Sequence, residues 1–196
     1  ERVLAIANDA IMRQGIVTIA LAGGSTPRGL YAVLAKRRDT DWSKWRIYFG
    51  DERMVLLNDK HSNYKMAHET LLIYLPLKES QIFTPVIHRD PKVAARAYEK
   101  IIRKSMQAES SIPHFSLILL GLGSDGHTAS LFPGKPALRA GDTLVAASSP
   151  GILPPPVYRI TFTLPLINAA RHVIFLASGS EKRQAFEKAT HESTLS

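Results

Sequence analysis

The chain has 196 residues, 45% of them hydrophobic and 21% charged, which fits a globular domain and excludes a disordered, collagen-like or disulfide-stapled chain. It contains no cysteine, so disulfides, thiolate nucleophiles and cysteine-based zinc sites are impossible. Lys and Arg number 25 against 17 Asp and Glu, a formal charge of +8 that favours an anionic partner: nucleic acid, a membrane surface or a phosphorylated small molecule.

The placement of the charge narrows that choice. The longest basic run is Lys36-Arg37-Arg38, and the other cations are scattered without interleaved aromatics. That pattern gives no nucleic-acid stripe, and no nucleic-acid partner is expected. No window approaches about 18 uninterrupted apolar residues, so no membrane span is expected either. No signal-peptide pattern opens the chain, and a cysteine-free chain fits a reducing compartment, so a cytoplasmic location is expected. Glu1 falls inside a helical pattern, so further residues are expected ahead of it.

Val3, Leu4, Ala7, Ala10 and Ile11 recur at helical spacing and stop at Gly15. Ile16 to Ala22 is a short apolar run and reads as a buried strand. Gly23-Gly24-Ser25-Thr26-Pro27 follows, with Thr26 placed to cap a helix and Pro27 to open it. That helix carries Leu30, Val33 and Leu34 on one side and is predicted to end near Arg38. Ile47 to Phe49 is the next strand, closed by a polar loop, Gly50-Asp51-Glu52-Arg53. A helix starts at Ser62-Asn63 and ends before Pro76.

Pro91 to about Met106 is a further helix, with Val93, Ala94, Ala97, Tyr98, Ile101 and Ile102 along one side. Leu117 to Leu120 is the most apolar strand, and it runs into Gly121-Leu122-Gly123-Ser124-Asp125-Gly126-His127-Thr128. Residues 133 to 156, rich in Pro, Gly and Ala and including Pro154-Pro155-Pro156, read as irregular. Val157 to Thr163 alternates like a half-buried strand. Val173 to Ala177 is a last apolar strand, followed by Gly179-Ser180 and a helix from Glu181.

There is no internal repeat and no linker, so residues 1–196 read as one domain. Strand–loop–helix units repeated in this way predict an α/β fold, a mostly parallel sheet flanked by helices. In such sheets ligands bind beyond the carboxyl ends of the strands. The loops 23–27, 50–53, 121–128 and 178–182 would then face one crevice.

Each loop admits a chemical and a purely structural reading. Gly23 and Gly24 let backbone approach a ligand, while Ser25, Thr26 and the first amides of the helix supply donors. This is a phosphate or carboxylate cradle, or else an ordinary strand-to-helix turn. In Gly50-Asp51-Glu52-Arg53, neighbouring side chains diverge, so one or two of them reach the crevice, and Arg53 suits an anion. Gly121, Gly123 and Gly126 satisfy the spacing of a dinucleotide fingerprint. However, Pro133 and Gly134 interrupt any following helix, and the nearby P-loop pattern has His127 where Lys is required.

Asp125-Gly126-His127 is the more informative element, because a carboxylate two residues away can orient an imidazole as a general base. No G-x-S-x-G elbow and no His-Glu-x-x-His pair occur, and the other histidines make no metal-ligand spacing. No metal is therefore expected. Arg159 lies on a predicted strand, and Lys182 in the first turn of a predicted helix. A cation is disfavoured there unless it serves a bound anion.

Taken together, Leu21 to Pro27, Gly50 to Arg53 with Ser62-Asn63-Tyr64, Gly121 to Pro133, Arg159-Ile160-Thr161 and Gly179 to Lys182 resemble the 6-phosphogluconolactonase family. The match runs in order from about residue 17 to 186. Asp125-Gly126-His127-Thr128-Ala129-Ser130-Leu131-Phe132-Pro133 is its most specific stretch. The resemblance implies a Rossmann-like sheet of the sugar-phosphate isomerase type. It also implies cofactor-free hydrolysis of 6-phosphogluconolactone to 6-phosphogluconate in the oxidative pentose phosphate pathway, and a chain cut short at both ends.

On that resemblance Gly23, Gly24, Ser25 and Thr26 form the sugar-phosphate cradle, with Asp51, Arg159 and Lys182 also contacting substrate. His127 is the base, Asp125 orients it, and Arg53 polarises the ester or binds phosphate. The partner is a small sugar phosphate, and the chain is expected to be a monomer or weak oligomer. The related glucosamine-6-phosphate deaminases share the cradle, the Asp-Gly-His core and the late Lys. They resemble Asp-Gly-His-Ile-Ala-Phe-Asn-Glu-Pro, with Glu where this chain has Phe132, and Asp-Glu-Tyr where it has Asp51-Glu52-Arg53. The deaminase and a non-catalytic sugar-phosphate-binding homologue remain the alternatives.

Overall fold

The computed structural model describes residues 1–150 and 155–191; Gly151 to Pro154, within the Pro-rich stretch, lie outside the described residues. In chain order the elements are α1 (Arg2–Gln14), β1 (Val17–Leu21), α2 (Ser25–Leu34), β2 (Trp45–Phe49), β3 (Asp51–Arg53), α3 (Asn63–Thr70) and α4 (Pro91–Ser105). They continue as β4 (Leu117–Gly121), β5 (Val145–Ser148), β6 (Arg159–Phe162), α5 (Leu164–Asn168), β7 (Val173–Leu176) and α6 (Arg183–His191). α1 stops where expected, at Gly15, whose φ of 77° suits a residue without Cβ.

β2, β1, β4 and β7 form a parallel sheet in that order, as the alternating pattern predicts. Ile19, Leu21, Ile47, Phe49, Leu117 and Leu119 point to one face, where α1, α2 and α3 cover them. Ala20, Tyr48, Ile118 and Leu120 point to the other, against Ala94, Tyr98 and Ile102 of α4. Both faces of β1, β2 and β4 are buried, so these strands read as continuous apolar runs, whereas β7 at the sheet edge is only partly covered and exposes Phe175.

The other face also carries an element that the sequence hides. β3, β6 and β5 form a separate antiparallel sheet, packed with α4. Two expected loops are therefore partly strand. Asp51-Glu52-Arg53 pairs with β6, and the stretch expected to be irregular contains β5 and a 3-10 turn at Pro136–Arg139. β6 is buried at all four positions and not half-buried, because Ile160 and Phe162 face the α4 core while Thr161 accepts the Ser130 N–H and Arg159 faces the cleft.

Helix ends shift modestly. α2 ends at Leu34 and not near Arg38, and the segment before Pro76 splits into α3 and a 3-10 turn at Leu72–Tyr74.

Two buried tyrosines fix the ends of β1 and β2. The Tyr31 hydroxyl accepts the Ala22 N–H at 2.9 Å and donates to the Ala22 carbonyl at 2.7 Å. The Tyr98 hydroxyl does the same for Phe49, accepting at 2.8 Å and donating at 3.2 Å. Burial pushes both phenols far up, so they remain neutral donors. Gly50 then joins the sheets: its N–H donates to Leu21 of β1, and its carbonyl accepts from Phe162 of β6.

Candidate active site

A cleft lies beyond the carboxyl ends of β1 and β4, where the strand order switches direction. Its walls bring together Gly23, Gly24, Ser25, Thr26, Asp51, Arg53, His127, Arg159 and Lys182. All four loops that were expected to share one crevice contribute to it, and Arg159 joins them from β6.

The cradle differs from its expected form in one respect. The residue at the N-cap of α2 is Gly24, with φ 103°, and no side chain caps the helix. Thr26 is inside the first turn, and its hydroxyl instead meets Ser178 Oγ at 2.8 Å. Ser178, at the end of β7, was not singled out in the sequence. The first amides of an α-helix have no partners within it, so this uncapped N-terminus offers donors and partial positive charge to an anion.

Lys182 ends a 3-10 turn, Ser180–Lys182, that precedes α6, so it does not lie in the first turn of that helix. It is half-buried on the cleft wall and forms no ion pair among the described residues.

Opposite the cradle, Arg53 and Arg159 are direct cross-strand partners between β3 and β6. Like charges at such positions repel, an arrangement that suits a site for an anion. Arg53 donates to the His61 carbonyl at 2.7 Å, while its Nε is buried without a hydrogen bond among the described residues. Burial and the charge of Arg53 lower the Arg159 guanidinium from its ordinary value, and Asp51 and Glu52 oppose that shift. Asp51 is buried and reaches the cleft; Ser130 Oγ donates to it at 2.6 Å and Asn63 Nδ2 at 3.2 Å.

Glu52 points away from the cleft. It is fully buried and accepts from the backbone N–H groups of Arg53, Asn63 and Tyr64 and from Ser62 Oγ, at 2.7–3.0 Å. With all four donors in place it has a structural job and no access to substrate. Ser62 caps α3 as its sequence position implied, accepting from Lys65 N.

The 121–128 loop holds the imidazole. His127 Nδ1 lies 2.5 Å from Asp125 Oδ1, which also accepts the His127 backbone N–H at 3.2 Å. Partial burial raises the Asp125 carboxyl, but the hydrogen bonds from His127 outweigh it and hold the group below its ordinary value. An ionised Asp125 only accepts, so Nδ1 carries a proton, and in the neutral imidazole Nε2 is the nitrogen with the lone pair. The close approach needs Gly123: a Cβ there would lie 2.1 Å from His127 Nδ1.

Phe132 packs beside the imidazole, ring centres 4.6 Å apart, and Arg159 Cζ stands 5.3 Å from the same ring. An oriented base, two guanidiniums and an uncapped helix N-terminus in one cleft can activate water beside a phosphorylated, electrophilic substrate. Among the described residues, no group of three or more His, Asp or Glu side chains stands together to hold a metal, and no helix is long and apolar enough to cross a membrane.

The family model for glucosamine-6-phosphate isomerases/6-phosphogluconolactonase matches residues 1–195. The chain belongs to this family. It is 44% identical over 178 residues to the 6-phosphogluconolactonase of Synechocystis, covering 90% of this chain and 72% of that protein. It is 40% identical over 174 residues to the human 6-phosphogluconolactonase, covering 87% of this chain and 67% of that one. The solved 6-phosphogluconolactonase of Trypanosoma cruzi superposes with a TM-score of 0.87 at 34% identity, covering 100% of this chain and 80% of that chain. The α/β architecture expected from the sequence is therefore the family fold.

Proposed function

We propose that this chain hydrolyses 6-phosphogluconolactone to 6-phosphogluconate. The carrying observation is His127, hydrogen-bonded to Asp125 behind it, on the wall of a cleft that also holds Arg53, Arg159 and Lys182. The similarity to named 6-phosphogluconolactonases supports the substrate. The phosphate takes the α2 N-terminus, with Gly23, Gly24, Ser25 and Thr26 around it and Lys182 as its counter-charge.

The lactone carbonyl then lies toward His127 and the arginines. His127 Nε2 takes a proton from water as the water oxygen bonds to the carbonyl carbon. Arg53, with Arg159 beside it, stabilises the resulting oxyanion. Collapse breaks the bond to the ring oxygen, which leaves with the proton from His127, and the carbonyl carbon becomes the carboxylic acid, which ionises. Asp125 holds the Nδ1 proton throughout, and Asp51 offers an acceptor to a sugar hydroxyl. Every one of these groups lies in one chain, so a monomer suffices, and the bound partner is a small sugar phosphate and not nucleic acid.

The test is a coupled assay in which glucose-6-phosphate dehydrogenase generates the lactone and its disappearance is followed. Acceleration over spontaneous hydrolysis is the expected result, and a folded protein without it sinks the reading. Ammonia release from glucosamine 6-phosphate would revive the deaminase. Phe132 disfavours that outcome, because an aromatic ring packs against His127 at the position of the deaminase carboxylate.

A further inference from the structure

Ser130 has no part in the reaction described so far, yet it is fully buried and its three polar groups go to three different strands. Its N–H donates to Thr161 Oγ1 on β6 at 3.1 Å. Its carbonyl accepts from Ser148 Oγ on β5 at 2.6 Å. Its own hydroxyl donates to Asp51 Oδ2 on β3 at 2.6 Å. The residue therefore docks the His127 loop onto the whole antiparallel sheet, the sheet that also carries Arg53 and Arg159.

The backbone is forced to reach that position. Ala129, just before it, has φ 49°, a left-handed conformation that a residue with Cβ adopts rarely. On the other side Phe132 packs against both His127 and Arg159. Backbone contacts alone would hold the loop down, so the hydroxyl does something further. It takes one carboxylate oxygen of Asp51 while Asn63 takes the other. Asp51 thus enters the cleft with its orientation fixed from two sides.

We infer that Ser130 is a positioning residue for the hydrolytic reaction, acting through Asp51: its hydroxyl fixes the cleft carboxylate in register with the His127 loop. The inference rests on the proposed lactonase reading. A donor to an ionised acceptor is among the stronger hydrogen bonds, and a cleft acceptor that turns by a fraction of an ångström loses alignment with the substrate. The effect should appear in kcat more than in KM, because the phosphate is held by other groups.

The experiment is a double-mutant cycle on the full chain, using Ser130→Ala, Asp51→Asn and the pair. Ser130→Ala is expected to lower kcat about 10-fold or more with KM changed less than about 3-fold. In the Asp51→Asn background the same change is expected to lower kcat by less than about 2-fold, because residues acting as a unit are not additive. Ser116→Ala removes a buried hydroxyl bonded to Thr18 at the opposite end of the sheet. It should lower the thermal midpoint while leaving kcat unchanged, which separates lost stability from lost positioning.

Equal fold-losses from Ser130→Ala in both backgrounds, or no loss in the wild-type background, overturn the inference while leaving the lactonase reading intact. A wild-type protein without lactonase activity overturns both. Where Ser130→Ala does not fold, Ser130→Cys replaces the hydroxyl with a weak donor of similar shape and carries the same two expectations.

Discussion

Arg53 and Arg159 face each other directly across β3 and β6, and both line the cleft. Their repulsion is tempered by Asp51 and Glu52, and a bound anion would relieve it further. Ligand should therefore stabilise the protein, by about 2.7 kcal/mol at a hundred times its dissociation constant. The expected result is a rise in thermal midpoint with 6-phosphogluconate. In Arg53→Met that rise should be smaller, because one of the repelling charges and one anion contact are gone. An equal rise in both proteins would remove Arg53 from the anion site.

Glu52 closes the N-terminus of α3 from a different strand, and through His61 the same turn holds the Arg53 guanidinium. Glu52→Gln presents an NH2 group to backbone N–H donors and leaves one of them unsatisfied in a buried place. The expected loss is about 1–3 kcal/mol of stability, read from a urea midpoint. kcat/KM should fall as well, since the anchor of Arg53 loosens.

The same carboxyl gives a pH signature. Burial raises its pKa, and the backbone donors from Tyr64, Asn63 and Arg53 only partly oppose that. A carboxyl raised in the folded state binds protons more tightly than in the unfolded chain. Its contribution is therefore largest below the unfolded value, about 4.3, and is lost as pH rises toward the folded value. Subtracting the stability–pH curve of Glu52→Gln from that of wild type should leave a difference that falls with rising pH over this window. A flat difference would mean that the buried carboxylate is fully compensated by its donors.

The fold was legible in the sequence wherever one pattern dominated. Continuous apolar runs marked β1, β2 and β4 because both of their faces are covered, and Gly15 marked the end of α1. The antiparallel sheet was hidden for the opposite reason. β3 is three polar residues, Asp51-Glu52-Arg53, whose pairing is set by a strand about 110 positions away, so no local period betrays it. Single residues fared the same way. Asp125, His127 and Arg53 announced their chemistry by type and spacing. Ser130 and Ser178 did not, because a serine is informative only once its distant partner is known. Thr26 looked like a cap by local rule, but the contact with Ser178, just past β7, claims its hydroxyl.

Lys182 tests the phosphate assignment directly, because among the described residues its side chain anchors no strand or helix by a hydrogen bond. Lys182→Ala should leave the thermal midpoint of the unliganded protein nearly unchanged. Removal of a charge-assisted contact to a dianion, about 1.5–3 kcal/mol, should reduce kcat/KM roughly 10- to 150-fold, mainly through KM. An unchanged kcat/KM would place the phosphate elsewhere in the cleft.

Gly123 and His127 test the base together. His127→Ala removes the group that takes the proton from water, so kcat should fall by about 10²–10⁴-fold with KM changed far less. Asp125→Asn should do less harm, since it disturbs the ring without removing it. Gly123→Ala attacks the same pair from the backbone: its Cβ would meet His127 Nδ1 at 2.1 Å and Asp125 Oδ1 at 2.6 Å, so one of the two must move. Gly123→Ala alone should therefore lower kcat substantially, yet add little once His127 is already Ala. If Gly123→Ala lowers kcat by the same factor with and without His127, its damage lies in the loop as a whole and not in the dyad. If His127→Ala keeps more than a tenth of wild-type kcat, the base is another group. Glu52 is removed from candidacy by its four donors, which leaves Asp51 as the cleft carboxylate to test next.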